Sequence, residues 1–247
     1  MVHAGPVIGL AALLALLAGL AGTLGLGAAG WLVGAGCGVL GSVLLARALA
    51  RHGVAALGPA DQVTLTRAVL ACGVAALTAD SFARPVSVPA LVAFSASALV
   101  LDGIDGRVAR RTSTSSEFGA RFDLDADAFL ILVLSVYVAR SLGAWVLLIG
   151  LARYAFVAAG WRLAWLREPA PPRYWCKVVA AIQGVLLTVV STGLAPRSLS
   201  VAAVAAASIL LAESFGREAW EKWRRRSVEL QPNRVVVALL GKQARAG

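Results

Sequence analysis

Eight apolar stretches separated by short polar, glycine- or proline-containing breaks make up most of this chain. They run at approximately 5–29, 31–50, 64–82, 86–106, 118–139, 142–165, 175–195 and 198–216. Each is near the ~20 residues that a helix needs to cross a bilayer. The pattern predicts an all-α fold, a polytopic bundle of membrane helices. The first stretch is preceded only by His3 and exceeds the ~7–15 residue core of a signal peptide, so a retained helix is expected. Charges interrupt the third to sixth stretches, which hydropathy alone therefore outlines less sharply.

Composition agrees with lipid as the solvent. Hydrophobic residues make up 59% of the 247 positions and charged residues only 15%, against roughly 25% charged in soluble domains. The net charge of +10 fits an anionic membrane surface rather than nucleic acid, because the basic residues flank the apolar runs. Arg47, Arg51, Arg67, Arg107, Arg110, Arg111, Arg121, Arg162, Arg167, Arg173, Lys177 and the tail beyond Arg217 fall on one side; Arg84, Arg140 and Arg197 fall on the other. This alternation predicts eight crossings of the cell membrane with both termini in the cytoplasm. The tail, 217–247, reads as a stop-transfer flank with interfacial Trp220 and Trp223, or as an amphipathic anchor on anionic lipid. Cys37, Cys72 and Cys176 are far apart and without metal-ligand spacing, so neither a disulfide framework nor a zinc site is expected.

The acids change the picture. Six of the thirteen lie between positions 102 and 127: Asp102, Asp105, Glu117, Asp123, Asp125 and Asp127. A carboxylate at membrane depth costs roughly 2.5–3.5 kcal/mol on insertion scales, so such residues mark functional sites by default. Asp102 and Asp105 are three apart, and Asp123 and Asp127 four apart; each pair shares a helical face. Asp125 points away from the second pair, with Arg121 a candidate partner. Two facing helices would gather four carboxylates, a donor set suited to hard divalent cations. Gly103, Gly106 and Gly119 leave room for close helix approach or for a substrate phosphate.

From Asp102 onward the chain reads D-x2-D-G-x2-A-R-x8-G-x3-D-x3-D without departure, ending at Asp127. This resembles the signature of the CDP-alcohol phosphatidyltransferase family, over about residues 59 to 216. The resemblance implies a catalytic six-helix core at 53–216, two additional N-terminal helices at 1–52, and a basic cytoplasmic tail. It implies transfer of a substituted phosphate group from a CDP-linked lipid donor, CDP-diacylglycerol being the expected one, to an acceptor alcohol in phospholipid biosynthesis, with release of CMP. Two Mg²⁺ or Mn²⁺ ions would be held by Asp102, Asp105 and Asp123. Asp127 would ligate as well, or take the proton from the attacking hydroxyl. Gly106 and Ala109 would lie against the nucleotide, and Arg110 would meet phosphate. The family also suggests a homodimer.

Pro59-Ala60-Asp61-Gln62-Val63-Thr64-Leu65-Thr66-Arg67 resembles the family's first-helix pattern, with one extra residue and Asp61 in place of the usual asparagine. Asp61 and Thr64 are thus nucleotide-binding candidates, and Asp61 equally a helix N-cap. Arg153, inside an apolar run, is read as an acceptor-binding group or as a partner for one of the motif acids. Lys177 is read as an acceptor-binding group or as a snorkelling flank. A non-enzymatic membrane transporter or metal-ion carrier would use the same acids, but would need neither Gly106 and Ala109 nor Arg110.

Overall fold

The computed structural model describes residues 4–53, 57–112, 117–163 and 174–229, with side chains described except at 4, 105–112, 117, 174 and 225–229. Eight helices follow in order: α1 (Ala4–Leu24), α2 (Ala28–His52), α3 (Pro59–Asp80), α4 (Val88–Thr112), α5 (Glu117–Leu142), α6 (Leu147–Arg162), α7 (Tyr174–Ser191) and α8 (Arg197–Glu229). A 3₁₀ turn, Ala144–Val146, leads into α6. Among the described residues there is no strand, so the polytopic helical bundle read from the sequence is the observed fold. Among the described residues five helices are long and apolar enough to cross a membrane; the apolar parts of α4 (Val88–Ile104) and α7 (Trp175–Ser191) are shorter. All three cysteines are free.

Helix α3 is the axis of the bundle, packing against α1, α2, α4 and α5. Its middle, from Ala71 to Thr78, is buried on every side, the pattern of a helix enclosed by others. Small side chains permit this, since alanine, cysteine and glycine let neighbouring backbones come close. Gly150 does the same between α5 and α6: a Cβ there would stand 2.7 Å from the Leu132 Cα.

The first break comes earlier than expected from hydropathy. Gly25 adopts a left-handed conformation (φ 69°) and ends α1. Helix α2 then starts at Ala28, where the Asp80 carboxylate accepts hydrogen bonds from the Gly27 and Gly30 N–H groups, each 2.7 Å. The last helix runs further than its apolar part. Past residue 216, α8 continues to Glu229, supported by the four-apart pairs Glu213–Arg217 and Glu218–Lys222. Its 33 residues give about 50 Å at 1.5 Å per residue, well beyond a hydrocarbon core of about 30 Å. Trp220 and Trp223 lie in this extension with ring centres 5.2 Å apart.

The end of α3 meets the start of α2 through Asp80, and the start of α3 meets the end of α4 and the start of α5 through Arg67. The motif acids lie at that end. At the opposite end Arg84 pairs with Asp80, and Arg140 sits over the Phe82 and Tyr137 rings at 5.1 and 5.8 Å.

Candidate active site

Helix α4 brings Asp102, and the first turns of α5 bring Asp123 and Asp127, to one point. Their carboxylates each offer an oxygen within 4.8 Å of the others, close enough for a shared cation, and all three are half-buried. The four-residue spacing on α5 sends Asp123 and Asp127 to the same side. Asp105, Gly106, Ala109 and Arg110 continue α4 in the backbone; their side chains lie outside the described residues. At Gly103 a Cβ would meet nothing within 4 Å, so this glycine makes no close helix contact.

A fourth residue completes the cluster. Arg67, on α3, is 3% exposed and forms ion pairs with all three acids: Asp102 at 2.9 Å, and Asp123 and Asp127. Its Nε donates to the Ala98 carbonyl of α4 at 3.2 Å. The sequence reading had placed Arg67 among the flanking cations of the cytoplasmic side. The signal in the sequence was the spacing alone: Asp61, Thr64, Arg67 and Ala71 recur at helical intervals and so share a face, which the structure shows to be buried.

Asp61 is not the N-cap of α3. Gly58 holds that position, and Asp61, in the first turn, accepts from the Gly58 N–H at 3.0 Å. That is the reach-back half of a capping box. Thr64 is buried one turn on, its hydroxyl 3.3 Å from the Ala60 carbonyl. Asp125 faces away from the cluster, 70% exposed, and meets Arg153 of α6 at 2.7 Å. Lys177 is exposed on the first turn of α7 and its charge acts on Asp102.

A family model for CDP-alcohol phosphatidyltransferase matches residues 57–212. The chain belongs to the CDP-alcohol phosphatidyltransferase family. No curated protein and no solved structure matches it. The match begins after α2 and ends within α8, so the phosphatidyltransferase part comprises α3 to α8, while α1 and α2 lie outside it. Members of this family are phosphotransferases that typically use divalent metals. The donor set fits such ions. It consists of carboxylate oxygens, which hard divalent cations prefer. Three carboxylates against one guanidinium also leave two formal negative charges to be balanced.

Proposed function

We propose that this phosphatidyltransferase transfers a substituted phosphate group from CDP-diacylglycerol, or a related CDP-linked lipid, to an acceptor alcohol and releases CMP. The observation that carries the reading is the convergence of Asp102, Asp123 and Asp127 inside the segment matched by the family. Bound Mg²⁺ or Mn²⁺ would neutralise the donor diphosphate and stabilise charge on the departing CMP. Asp102, Asp105 and Asp123 are the proposed ligands. Gly106 and Ala109 would leave space for the nucleotide, Arg110 would donate to its phosphates, and Asp61 and Thr64 would complete the nucleotide site.

Asp127 accepts the proton of the acceptor hydroxyl. The hydroxyl oxygen then bonds to the lipid-side phosphorus, the bond from that phosphorus to the CMP oxygen breaks, and CMP leaves with the electron pair. Lys177, whose charge already reaches Asp102, is placed to hold a phosphorylated acceptor. Arg153 acts on the acceptor only by exchanging its Asp125 partner. Arg47 and Arg51 near the end of α2, Arg67 and Arg121 in the first turns of α3 and α5, Arg162 at the end of α6 and Lys177 at the start of α7 support a site and termini that face the cytoplasm.

The test is CMP release by the purified protein from labelled CDP-diacylglycerol with a panel of acceptor alcohols. Metal-dependent CMP formation with at least one acceptor is expected. No release with any acceptor, together with cation flux in proteoliposomes, would replace the enzyme reading by that of a metal-ion carrier.

A further inference from the structure

We propose that Arg67 is a positioning residue for metal loading: its guanidinium assembles Asp102, Asp123 and Asp127 before a cation arrives and stays as the fixed positive corner of the site. This rests on the metal-dependent reading above and goes beyond it by assigning the loading step to a residue of α3, outside the acid-bearing helices.

Three carboxylates within 4.8 Å of one another repel, and without a positive partner they would splay apart. Arg67 opposes that. One terminal nitrogen meets Asp102 and Asp127 and the other meets Asp123, so a single planar fork spans two helices. Its Nε is held by the Ala98 carbonyl. The guanidinium is therefore fixed at three of its corners, and a buried arginine has no water to retreat into.

Two alternatives compete with the positioning role: a placeholder that must leave when the metal binds, or a counter-ion with no bearing on metal affinity. Geometry favours positioning. The fork reaches an Oδ1 of each acid from two different helices at once, and the anchor on Ala98 ties it to α4, the helix that also bears Asp102. Charge favours it too. One positive charge among three negative ones holds the acids together, yet leaves the cluster anionic enough to attract a divalent ion. Hydrogen-bonded partners of metal ligands typically set affinity by about 10–100-fold.

The experiment measures Mn²⁺ binding to purified, nucleotide-free full-length protein by calorimetry and by the electron paramagnetic resonance signal of free Mn²⁺. Arg67→Met should weaken Mn²⁺ binding by about 10–100-fold. Arg67→Lys keeps the charge but not the fork and should fall between wild type and Arg67→Met, a partial rescue that bulk helix packing would not produce. Should Arg67→Met fail to yield folded protein, Arg67→Lys alone decides, with weakened binding expected. Unchanged or tighter binding in the folded variants would overturn the positioning role while leaving the metal site standing. Absence of Mn²⁺ binding in the wild type would overturn the metal-dependent reading as well, so the two failures are distinct.

Discussion

The three aspartates of α5 should separate cleanly on mutation. At ~100° per residue Asp125 points about 160–200° away from Asp123 and Asp127. The structure agrees: Asp123 and Asp127 meet Arg67, whereas Asp125 is 70% exposed and meets Arg153. An exposed ion pair is worth about 0.2–1 kcal/mol, a factor of about five at most. Asp125→Asn should therefore bind Mn²⁺ within about fivefold of wild type and keep most of its turnover. Asp123→Asn removes a charge from the cluster itself. Two unit charges 4 Å apart interact by about 4 kcal/mol at an effective dielectric of 20, or roughly three decades of affinity. The asparagine carbonyl can still ligate, so a loss of at least about a hundredfold is the expectation. Asp127→Asn should depress turnover more than CMP affinity, since the proton of the acceptor hydroxyl loses its destination. The assay is Mn²⁺ and CMP titration of each purified variant, followed by CMP release at saturating metal. If Asp125→Asn lost metal as severely as Asp123→Asn, the one-face arrangement of α5 would be wrong. Normal turnover in Asp127→Asn would remove that residue as the base.

Further outcomes follow from the same geometry. Excess EDTA should abolish CMP release, and added Mg²⁺ or Mn²⁺ should restore it; full turnover in chelator would contradict the carboxylate site. Gly150→Ala should destabilise the protein by about 1–3 kcal/mol, read as a lower Tm, because its Cβ would lie 2.7 Å from the Leu132 backbone. Gly19→Ala, with nothing within 4 Å, should not lower Tm, and equal effects of the two would discount close packing of α5 and α6. A C-terminal reporter should be active only in the cytoplasm; activity outside would reverse the orientation.

Helix number and order were legible because polar, glycine- or proline-containing breaks separate the apolar runs, although α5, with its acids, is not apolar enough to count among the five candidate spans. What hydropathy could not locate was where helices stop for other reasons. Apolarity carries the first stretch on to about residue 29, but α1 ends at Leu24 because Gly25 takes a positive φ, and distant Asp80 holds the start of α2. Apolarity ends near Phe215, yet α8 runs on, since Arg217 to Glu229 contains no glycine or proline and its charges pair along the helix. At the site, spacing alone was enough to group Asp123 with Asp127 and to turn Asp125 away. It could not supply partners from other helices. Arg121 was the nearest arginine to Asp125 along α5, but packing of α6 brings Arg153 there. Arg67 lies 35 residues before Asp102, and its role depends on α3 being the enclosed axis.

The helix pair outside the family match is tied to the core at both ends, and one substitution tests how firmly. At the end away from the acids, Asp80 on α3 is 2% exposed and holds the first turn of α2 through the Gly27 and Gly30 N–H groups, with Arg84 as its counter-ion. The glycines are needed for this approach, because a Cβ at Gly30 would stand 2.9 Å from the Asp80 carboxylate. At the other end Leu45 and Leu49 of α2 are buried with Phe118, and Phe122 packs against them one residue before Asp123. The start of α5 is thus seated partly on the far end of α2, away from the Asp80 contact. Asp80→Asn keeps the size but presents an amide N–H₂ where a second backbone N–H needs an acceptor, and it leaves Arg84 without its carboxylate. Loss of a helix-capping side chain costs about 0.5–2 kcal/mol, and the buried charged setting puts this case at the upper end. Hydrogen exchange should therefore accelerate at the first turn of α2 by about tenfold or more, since each 1.4 kcal/mol of local opening is a decade. Amides near Asp102 should keep their protection, because the Arg67 cluster does not depend on Asp80. Unchanged exchange at Gly30 would show that helix packing alone holds the hairpin. Acceleration throughout α1, α2 and α3 alike would show that the pair and the core unfold as one unit.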